Sequence, residues 1–515
     1  MDLPSASPDT MAALFRATAA RYPQSMAIET PDLRMTFAEL DEHSDALARE
    51  LMRRGIGHGS TVGALLLDGT AMIALLIATA KLGAVILTLN WRLAARELSA
   101  ILEDADPATI IVSECFSDLA QEAAPERVRV VVPADAPIPI MGALPRDAGR
   151  LPANTANIAA DDDWLLLYTS GTTGRAKGCR HSQGGYRVNA LSYRDRAGFR
   201  EDERALQTQP LFHVGGLHNF LAIHAASGCI VVPPRGLDHE ATARLVSAER
   251  ITFQTIPMLD PRGYLDTHRR LGLPLHLRLL HGGGGMHSPE LLRDLATAFG
   301  ADMLLGYGQS EAGGLICLIS LADQLERPTS CGIPLAHVDV RIVDQDGVDV
   351  SPDLPGELLI RADSITKGYL NLPDETRETL AGGWLRTGDV FRRDEAGFLF
   401  FAGRTKELIK TGGENVYPAE VEAVIRTHPA VRACCVAGVP DSRYGEAVKA
   451  FVVLADGRQA SPRDIAQWCR GRIAGYKRPR FVEFVNAIPC DFQAKPMRAE
   501  LSRRPVSPEQ VADGP

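Results

Sequence analysis

Hydrophobic positions fall in short runs whose period changes along the chain. From Thr36 to Arg54, Phe37, Leu40, Leu47 and Leu51 recur at helical spacing with charged residues between them, which predicts an amphipathic helix. Val62–Leu89 is the most apolar stretch, but Asp68, Gly69 and Lys81 interrupt it. No window reaches the roughly 18 unbroken apolar residues of a membrane span. The stretch divides better into strand Val62–Leu67, helix Ala71–Leu82 and strand Ala84–Leu89, a βαβ unit. Trp164–Tyr168, Cys229–Val232 and Leu277–Leu280 are further short apolar runs, each leading into glycine or proline. Strands with helices between them predict largely parallel sheets. Val338–Arg361 differs: Val338, Val340 and Ile342 alternate and Asp346-Gly347 supplies a turn, which predicts an antiparallel hairpin.

After Gly403 the pattern restarts. Glu420–Arg426 reads as helix, Ala433–Val439 and Lys449–Leu454 as strands, Pro462–Arg472 as helix and Phe481–Val485 as strand. About one hundred residues suffice for a separate α+β domain, so the expected division is 1–405 and 406–515, with the boundary near Arg404–Lys406. A chain of 515 residues exceeds one ordinary core in any case. The Pro-rich tail Pro505–Pro515 is expected to fray. The net charge of −9 is spread along the chain with no basic stripe, which argues against a nucleic-acid partner. Nine scattered cysteines, two of them adjacent (Cys434 and Cys435) and none in a Cys-x-x-Cys pair, argue against a disulfide framework or cysteine zinc site. They fit a reducing cytoplasm, and Met1-Asp2-Leu3-Pro4 has no basic region that would begin a signal peptide.

The chemistry starts where Trp164–Tyr168 empties into Thr169-Ser170-Gly171-Thr172-Thr173-Gly174-Arg175-Ala176-Lys177. Glycines let backbone N–H groups approach an anion closely. Four hydroxyls add neutral donors and Lys177 adds a point charge. This is a loop for holding phosphates. It is not a Walker loop, because Gly178 follows the lysine where Ser or Thr would be required.

The nine residues resemble the phosphate-loop signature of the adenylate-forming superfamily, which holds acyl-CoA synthetases, nonribosomal peptide adenylation domains and luciferases. Ala176 stands where that family has proline. Further motifs follow in the family's order. Gly306-Tyr307-Gly308-Gln309-Ser310-Glu311 resembles its second motif, with Ser310 keeping a hydroxyl in place of threonine. The resemblance implies that Tyr307 and Gly308 flank the adenine and that Glu311 holds Mg²⁺, a cation that prefers oxygen ligands and keeps waters. His281-Gly282-Gly283-Gly284-Gly285 resembles the strand end that lines adenine and acyl group, with Gly282, Gly283 and Gly284 leaving room for a flat base. In Trp384-Leu385-Arg386-Thr387-Gly388-Asp389 the implied ribose ligand is Asp389. Arg404 is implied to reach ribose or phosphate, and Lys406 matches the hinge. Gly412 and Gly413 lie in the loop that serves the thiol step, leaving a groove for a thin pantetheine arm. Leu211-Phe212-His213 resembles the motif whose His gates the acyl pocket. Lys495 matches the adenylation lysine, whose ammonium stabilises charge developing at the transition state. Around it, Ala494 and Asp491 replace the family's usual Gly and Thr.

The resemblance runs from about Met11 to Leu501. It implies a large N-terminal α/β domain of mixed sheets flanked by helices with a small barrel-like β part, plus a small mobile C-terminal α+β domain. The implied activity is ATP-dependent activation of a carboxylic acid as its acyl-adenylate, then transfer to a thiol. Gly471–Arg480 resembles stand-alone acyl-CoA ligases, which favours coenzyme A over a separate carrier protein as acceptor. The substitutions at Ala494 and Asp491 leave open a homologue specialised for the thioester step alone. A homodimer is compatible with the sequence.

Overall fold

The computed structural model describes residues 5–126, 129–132, 157–169, 176–257, 260–283, 289–490 and 496–507. The apolar stretch that opened the sequence reading forms strand Thr61–Leu65, helix Thr70–Leu82 and strand Val85–Thr88, with the two strands parallel. Every residue of the helix is buried, as an all-round apolar helix requires. Its one charge, Lys81, is fully buried and donates to Asp41 Oδ1 and Asp45 Oδ1 at 2.6 Å each and to Ser44 Oγ at 2.9 Å. Those partners lie on helix Phe37–Arg53, the amphipathic helix expected from Thr36 to Arg54. Gly83 ends the buried helix in the left-handed conformation.

Strand Val85–Thr88 belongs to a six-stranded sheet ordered 129–132, 109–113, 61–65, 85–88, 163–169, 177–182. Only its last pair is antiparallel. The second sheet has 14 strands and is mixed. Strands Met26–Glu29, Arg204–Leu206, Cys229–Val231, Phe253–Thr255, Leu279–Gly283 and Asp302–Gln309 are parallel neighbours. From Gly314–Ser320 onward, through Ser330–Pro334, Leu399–Arg404, Trp384–Arg393, Gly356–Arg361 and Asp339–Val343, each pairing is antiparallel. The expectation of largely parallel sheets therefore holds for one sheet and half of the other. The other half is antiparallel. Its strands lack intervening helices long enough for parallel crossovers.

The hairpin expected over Val338–Arg361 forms between Asp339–Val343 and Gly356–Arg361, but not directly at Asp346-Gly347. That turn first returns the chain to a bridge between Val343 and Asp349. Asp344 Oδ1 accepts from the Asp346 and Val348 amides there, and residues 350–355, with Pro352 and Pro355 unable to donate, delay the return strand.

Past the short turn Thr405–Glu407 a separate five-stranded sheet begins. Helix Pro418–Ile425, strands Val431–Asp441, Gly445–Leu454 and Phe481–Phe484, and helix Pro462–Cys469 fill the places expected for them. The last helix stops three residues earlier than its pattern predicts, because Arg470 is extended and Gly471 takes a positive φ of 75°. Among the described residues no helix is long and apolar enough to cross a membrane, and no disulfide joins any of the nine cysteines.

Candidate active site

The glycine-rich sequence joins two strands that pair with each other. Strand Asp163–Thr169 pairs antiparallel with Lys177–Ser182, and Thr169 stands opposite Lys177 in register. Ser170, Gly171, Thr172, Thr173 and Gly174 lie outside the described residues, as do Gly284, Asp491, Ala494 and Lys495.

Lys177 faces a residue the sequence reading did not single out. Its Nζ lies 5.0 Å from the centre of the Tyr369 ring, within cation–π range. The Tyr369 hydroxyl donates to Glu311 Oε1 at 3.1 Å. Burial, then the adjacent Glu311 carboxylate, push the Tyr369 phenol well above its usual range, so it stays protonated and remains a donor. The segment around Tyr369 adds an outer strand to Lys177–Ser182: Cys179 bridges Tyr369, the Arg180 amide donates to Gly368 O at 3.0 Å, and the Leu370 amide donates to Gly178 O at 2.8 Å. The Thr366 amide also donates to the backbone oxygen of Glu311 at 2.7 Å. One docked segment thus joins Lys177 to Glu311, which the sequence separates widely.

A second cluster forms around Asp389, which is 3% exposed. Tyr307 Oη donates to Asp389 Oδ2 at 2.6 Å, and Arg404 Nε lies 3.1 Å from Oδ1. Register explains the meeting, because Asp389 stands directly opposite Arg404 on adjacent antiparallel strands. Each carboxylate oxygen has two lone-pair positions, and these two contacts use one on each oxygen. Burial and Asp389 raise the Tyr307 phenol far above its ordinary pKa, which keeps that proton in place. Ser310 and Glu311 follow in a short turn, Ser310–Ala312.

The glycines have reasons of their own. A Cβ at Gly282 would come within 2.6 Å of Leu305, and one at Gly308 within 2.1 Å of Gly314 O. At Gly308 the neighbour is backbone, so close strand packing requires glycine there in addition to any ligand, whereas at Gly282 it is the movable end of a leucine. Gly412 and Gly413 have φ values of 60° and 86° and connect Ile409–Thr411 to Glu414–Val416, with Thr411 opposite Glu414. Two central residues at positive φ make this a tight hairpin turn of the type that Gly-Gly favours. Lys406 is exposed in the turn Thr405–Glu407. His213 is the N-cap residue of helix Val214–Ala225, and its ring packs 4.5 Å from Phe212.

The metal expectation can be tested against the donor set. Among the described residues no group of three His, Cys, Asp or Glu side chains could cage an ion. A single half-buried carboxylate, Glu311, held through one oxygen by Tyr369, suits a cation that takes its other ligands from water and substrate phosphates. Mg²⁺ fits that description.

Known proteins agree with this geometry. A family model described as AMP-binding enzyme matches residues 15–370, and one described as AMP-binding enzyme C-terminal domain matches residues 420–492. An indoleacetate–CoA ligase from Aromatoleum aromaticum is 34% identical over 475 residues, covering 91% of this chain and 92% of its own. A feruloyl-CoA synthase from Amycolatopsis sp is 33% identical, covering 94% and 96%. Among solved structures, the o-succinylbenzoate CoA synthetase of Bacillus subtilis in complex with its acyl-adenylate intermediate has a TM-score of 0.80 at 26% identity, over 96% of this chain and 98% of that one. An anthranilate CoA ligase in complex with anthranoyl-AMP has a TM-score of 0.82 at 26% identity, over 97% of each chain. These matches along nearly the whole length lead to one conclusion: the chain belongs to the AMP-binding enzyme family.

Proposed function

We propose that this chain is an acid–CoA ligase that activates an aromatic carboxylic acid with ATP and passes the acyl group to the thiol of coenzyme A. The observation that carries the reading is that Lys177–Tyr369–Glu311 and Tyr307–Asp389–Arg404 meet at the segment from Tyr307 to Glu311, which contributes a residue to each. One group suits phosphates, the other a ribose. The relatives named above act on indoleacetate, ferulate, succinylbenzoate and anthranilate, and all four are aromatic acids.

The chemistry has two steps. The substrate carboxylate attacks the α-phosphorus of ATP, a P–O bond to the bridging oxygen breaks, and pyrophosphate leaves. The thiol, losing its proton, then attacks the acyl carbon, and AMP leaves with the bond's electron pair. Asp389 accepts from the ribose hydroxyls while Tyr307 and Arg404 fix its orientation. Lys177 and the loop from Thr169 hold the departing phosphates. Lys495 contacts the reacting oxygens in the first step, so positioning and charge stabilisation do most of the work. Mg²⁺, when bound beside Glu311, neutralises phosphate charge. Between the steps the C-terminal domain turns about Lys406, with the boundary between domains at Arg404–Lys406, and the Gly412-Gly413 hairpin replaces Lys495 beside the acyl carbon. His213 borders the acyl pocket. A reducing, cytoplasmic setting for the nine cysteines belongs to the same proposal.

The decisive experiment measures ATP-dependent thioester formation over a panel of aromatic and aliphatic acids, with coenzyme A and with a phosphopantetheinyl carrier protein as competing acceptors. Aryl-CoA products are expected. Thioester on the carrier alone would reassign the acceptor, and preference for aliphatic acids would remove the aromatic assignment. Tyr369→Phe, which deletes the hydroxyl that orients Glu311, is expected to lower kcat/KM for ATP about tenfold. It should also raise the Mg²⁺ concentration needed for half-maximal rate. An unchanged Mg²⁺ requirement would argue against the orienting role of Tyr369.

A further inference from the structure

The strand that ends in Gly282-Gly283 begins its glycine run with His281, which is 4% exposed. His281 closes a buried polar network. The Tyr193 hydroxyl, from helix Gln183–Ala197, lies 2.9 Å from His281 Nδ1 and 3.2 Å from Asn219 Oδ1. Asn219, on helix Val214–Ala225, donates through Nδ2 to Thr255 Oγ1 at 3.2 Å and to Gln209 Oε1 at 3.5 Å. Those two donations fix its amide with the oxygen toward Tyr193 and His281.

The network decides where the histidine proton sits. Asn219 Oδ1 is buried and needs a donor. Tyr193 has one proton to give. If it goes to His281 Nδ1, Asn219 Oδ1 receives none. If His281 carries its proton on Nδ1, Tyr193 donates to Asn219 and accepts from the imidazole, and all three groups are satisfied. The imidazole Nε2 is then a bare acceptor. Burial holds the ring pKa down to about 4, so it is neutral at ordinary pH.

Nε2 is buried and has no hydrogen-bond partner. It lies 3.0 Å from where a Gly306 Cβ would stand and 3.9 Å from where a Gly283 Cβ would stand. Gly306 immediately precedes Tyr307. Glycine at both positions keeps a side chain of their own away from this acceptor, which sits one residue from the Asp389 cluster with the end of Leu315 2.6 Å from the Gly306 Cβ position. The ring of His218 packs beside it, 5.7 Å between centroids. Side-chain ends of Leu315 and Leu318, which can move, complete the surroundings of Gly306.

We infer that His281 is a specificity-determining residue whose Nε2 accepts a hydrogen bond from a hydroxyl or amino group on the acyl part of the substrate, so that the preferred acids are hydroxylated or aminated aromatic acids. This rests on the acid–CoA ligase reading above. A buried acceptor satisfied only by the right ligand discriminates against analogues that lack the donor.

The test compares kcat/KM for thioester formation among benzoic, phenylacetic and cinnamic acids carrying hydroxyl, amino, methoxy or hydrogen at each ring position. At one position, hydroxyl or amino is expected to exceed both hydrogen and methoxy by at least about tenfold. His281→Leu should abolish that preference, read as the ratio of kcat/KM between donor-bearing and unsubstituted acids. Tyr193→Phe, acting through His281 as a change in a positioning residue, should reduce the preference in the same direction. No preference in the wild type, a preference for methoxy, or a preference untouched by His281→Leu would each overturn the assignment. Independently of any variant folding, a long-range ¹H–¹⁵N spectrum of the wild-type protein should find the His281 proton on Nδ1, and a proton on Nε2 would overturn it. If folded wild-type protein activates no acid of any kind, the ligase reading falls and this assignment with it. Active protein without donor preference would remove only the role of His281.

Discussion

Carboxylate-dependent exchange of pyrophosphate into ATP is expected to fall by about a thousandfold in Lys495→Ala, the upper end of what removal of one preorganised transition-state contact costs. Thioester formation from a synthetic acyl-adenylate and coenzyme A should fall by less than about tenfold, because that step calls on the Gly412-Gly413 hairpin instead. The expectation draws on what brackets Lys495. Cys490 and Pro496 form an antiparallel bridge, and the Met497 amide donates to Pro489 O at 2.8 Å. Equal losses in both steps would assign Lys495 to folding or binding. Wild-type protein that shows no exchange but completes the second step would establish a thioester-forming half-enzyme, the alternative that Ala494 and Asp491 raise.

The second large effect concerns stability. Arg498→Met is expected to destabilise the C-terminal domain by about 3 kcal/mol. Arg498 Nη2 lies 2.6 Å from Glu422 Oε1, and the Glu422 side chain is only 2% exposed. Glu422 also accepts from Arg426 at 2.8 Å and from the Val436 amide at 2.8 Å. Removing one guanidinium leaves a buried carboxylate short of countercharge, which costs more than the pair itself contributes. The control is Glu407→Gln. Its contact with Arg498 Nε is 3.4 Å long and its side chain is 32% exposed, so less than about 1 kcal/mol is expected. Hydrogen exchange of strands Val431–Asp441 and Gly445–Leu454 reads both. Equal protection in the two variants would show that Glu422 is adequately served by Arg426 and the Val436 amide alone.

What could be read in advance follows the range of the forces involved. Helix Thr70–Leu82 and the glycine-rich loop declare themselves in contiguous residues, through apolar density and through Gly, Thr and Lys at fixed offsets. Asp389 and Arg404 were chosen by resemblance, and adjacent strands brought them face to face. Tyr369 escaped notice because nothing near it in sequence marks it. Its role arises only when its segment docks on Lys177–Ser182. Gly412-Gly413 was read as clearance for a ligand, although Gly-Gly between two β-prone triplets already spelled a tight hairpin. His281 was seen as the start of a glycine run. Its importance depends on a proton whose position is set by Tyr193 and Asn219, residues on two separate helices.

The burial of Thr70–Leu82 also has a consequence during synthesis. The strand beside it, Val85–Thr88, pairs with Asp163–Thr169. That partner is about 80 residues downstream, roughly 4–16 s away at the usual pace of translation. For that interval a 13-residue apolar segment has emerged from the ribosome without the sheet that will cover it. Lys81 is the one charge within it, and a lone charge in such a segment acts as a gatekeeper against premature self-association. Asp41 and Asp45 precede Lys81 in the chain, so the clasp that holds its ammonium in the folded protein can close before strand Asp163–Thr169 is made.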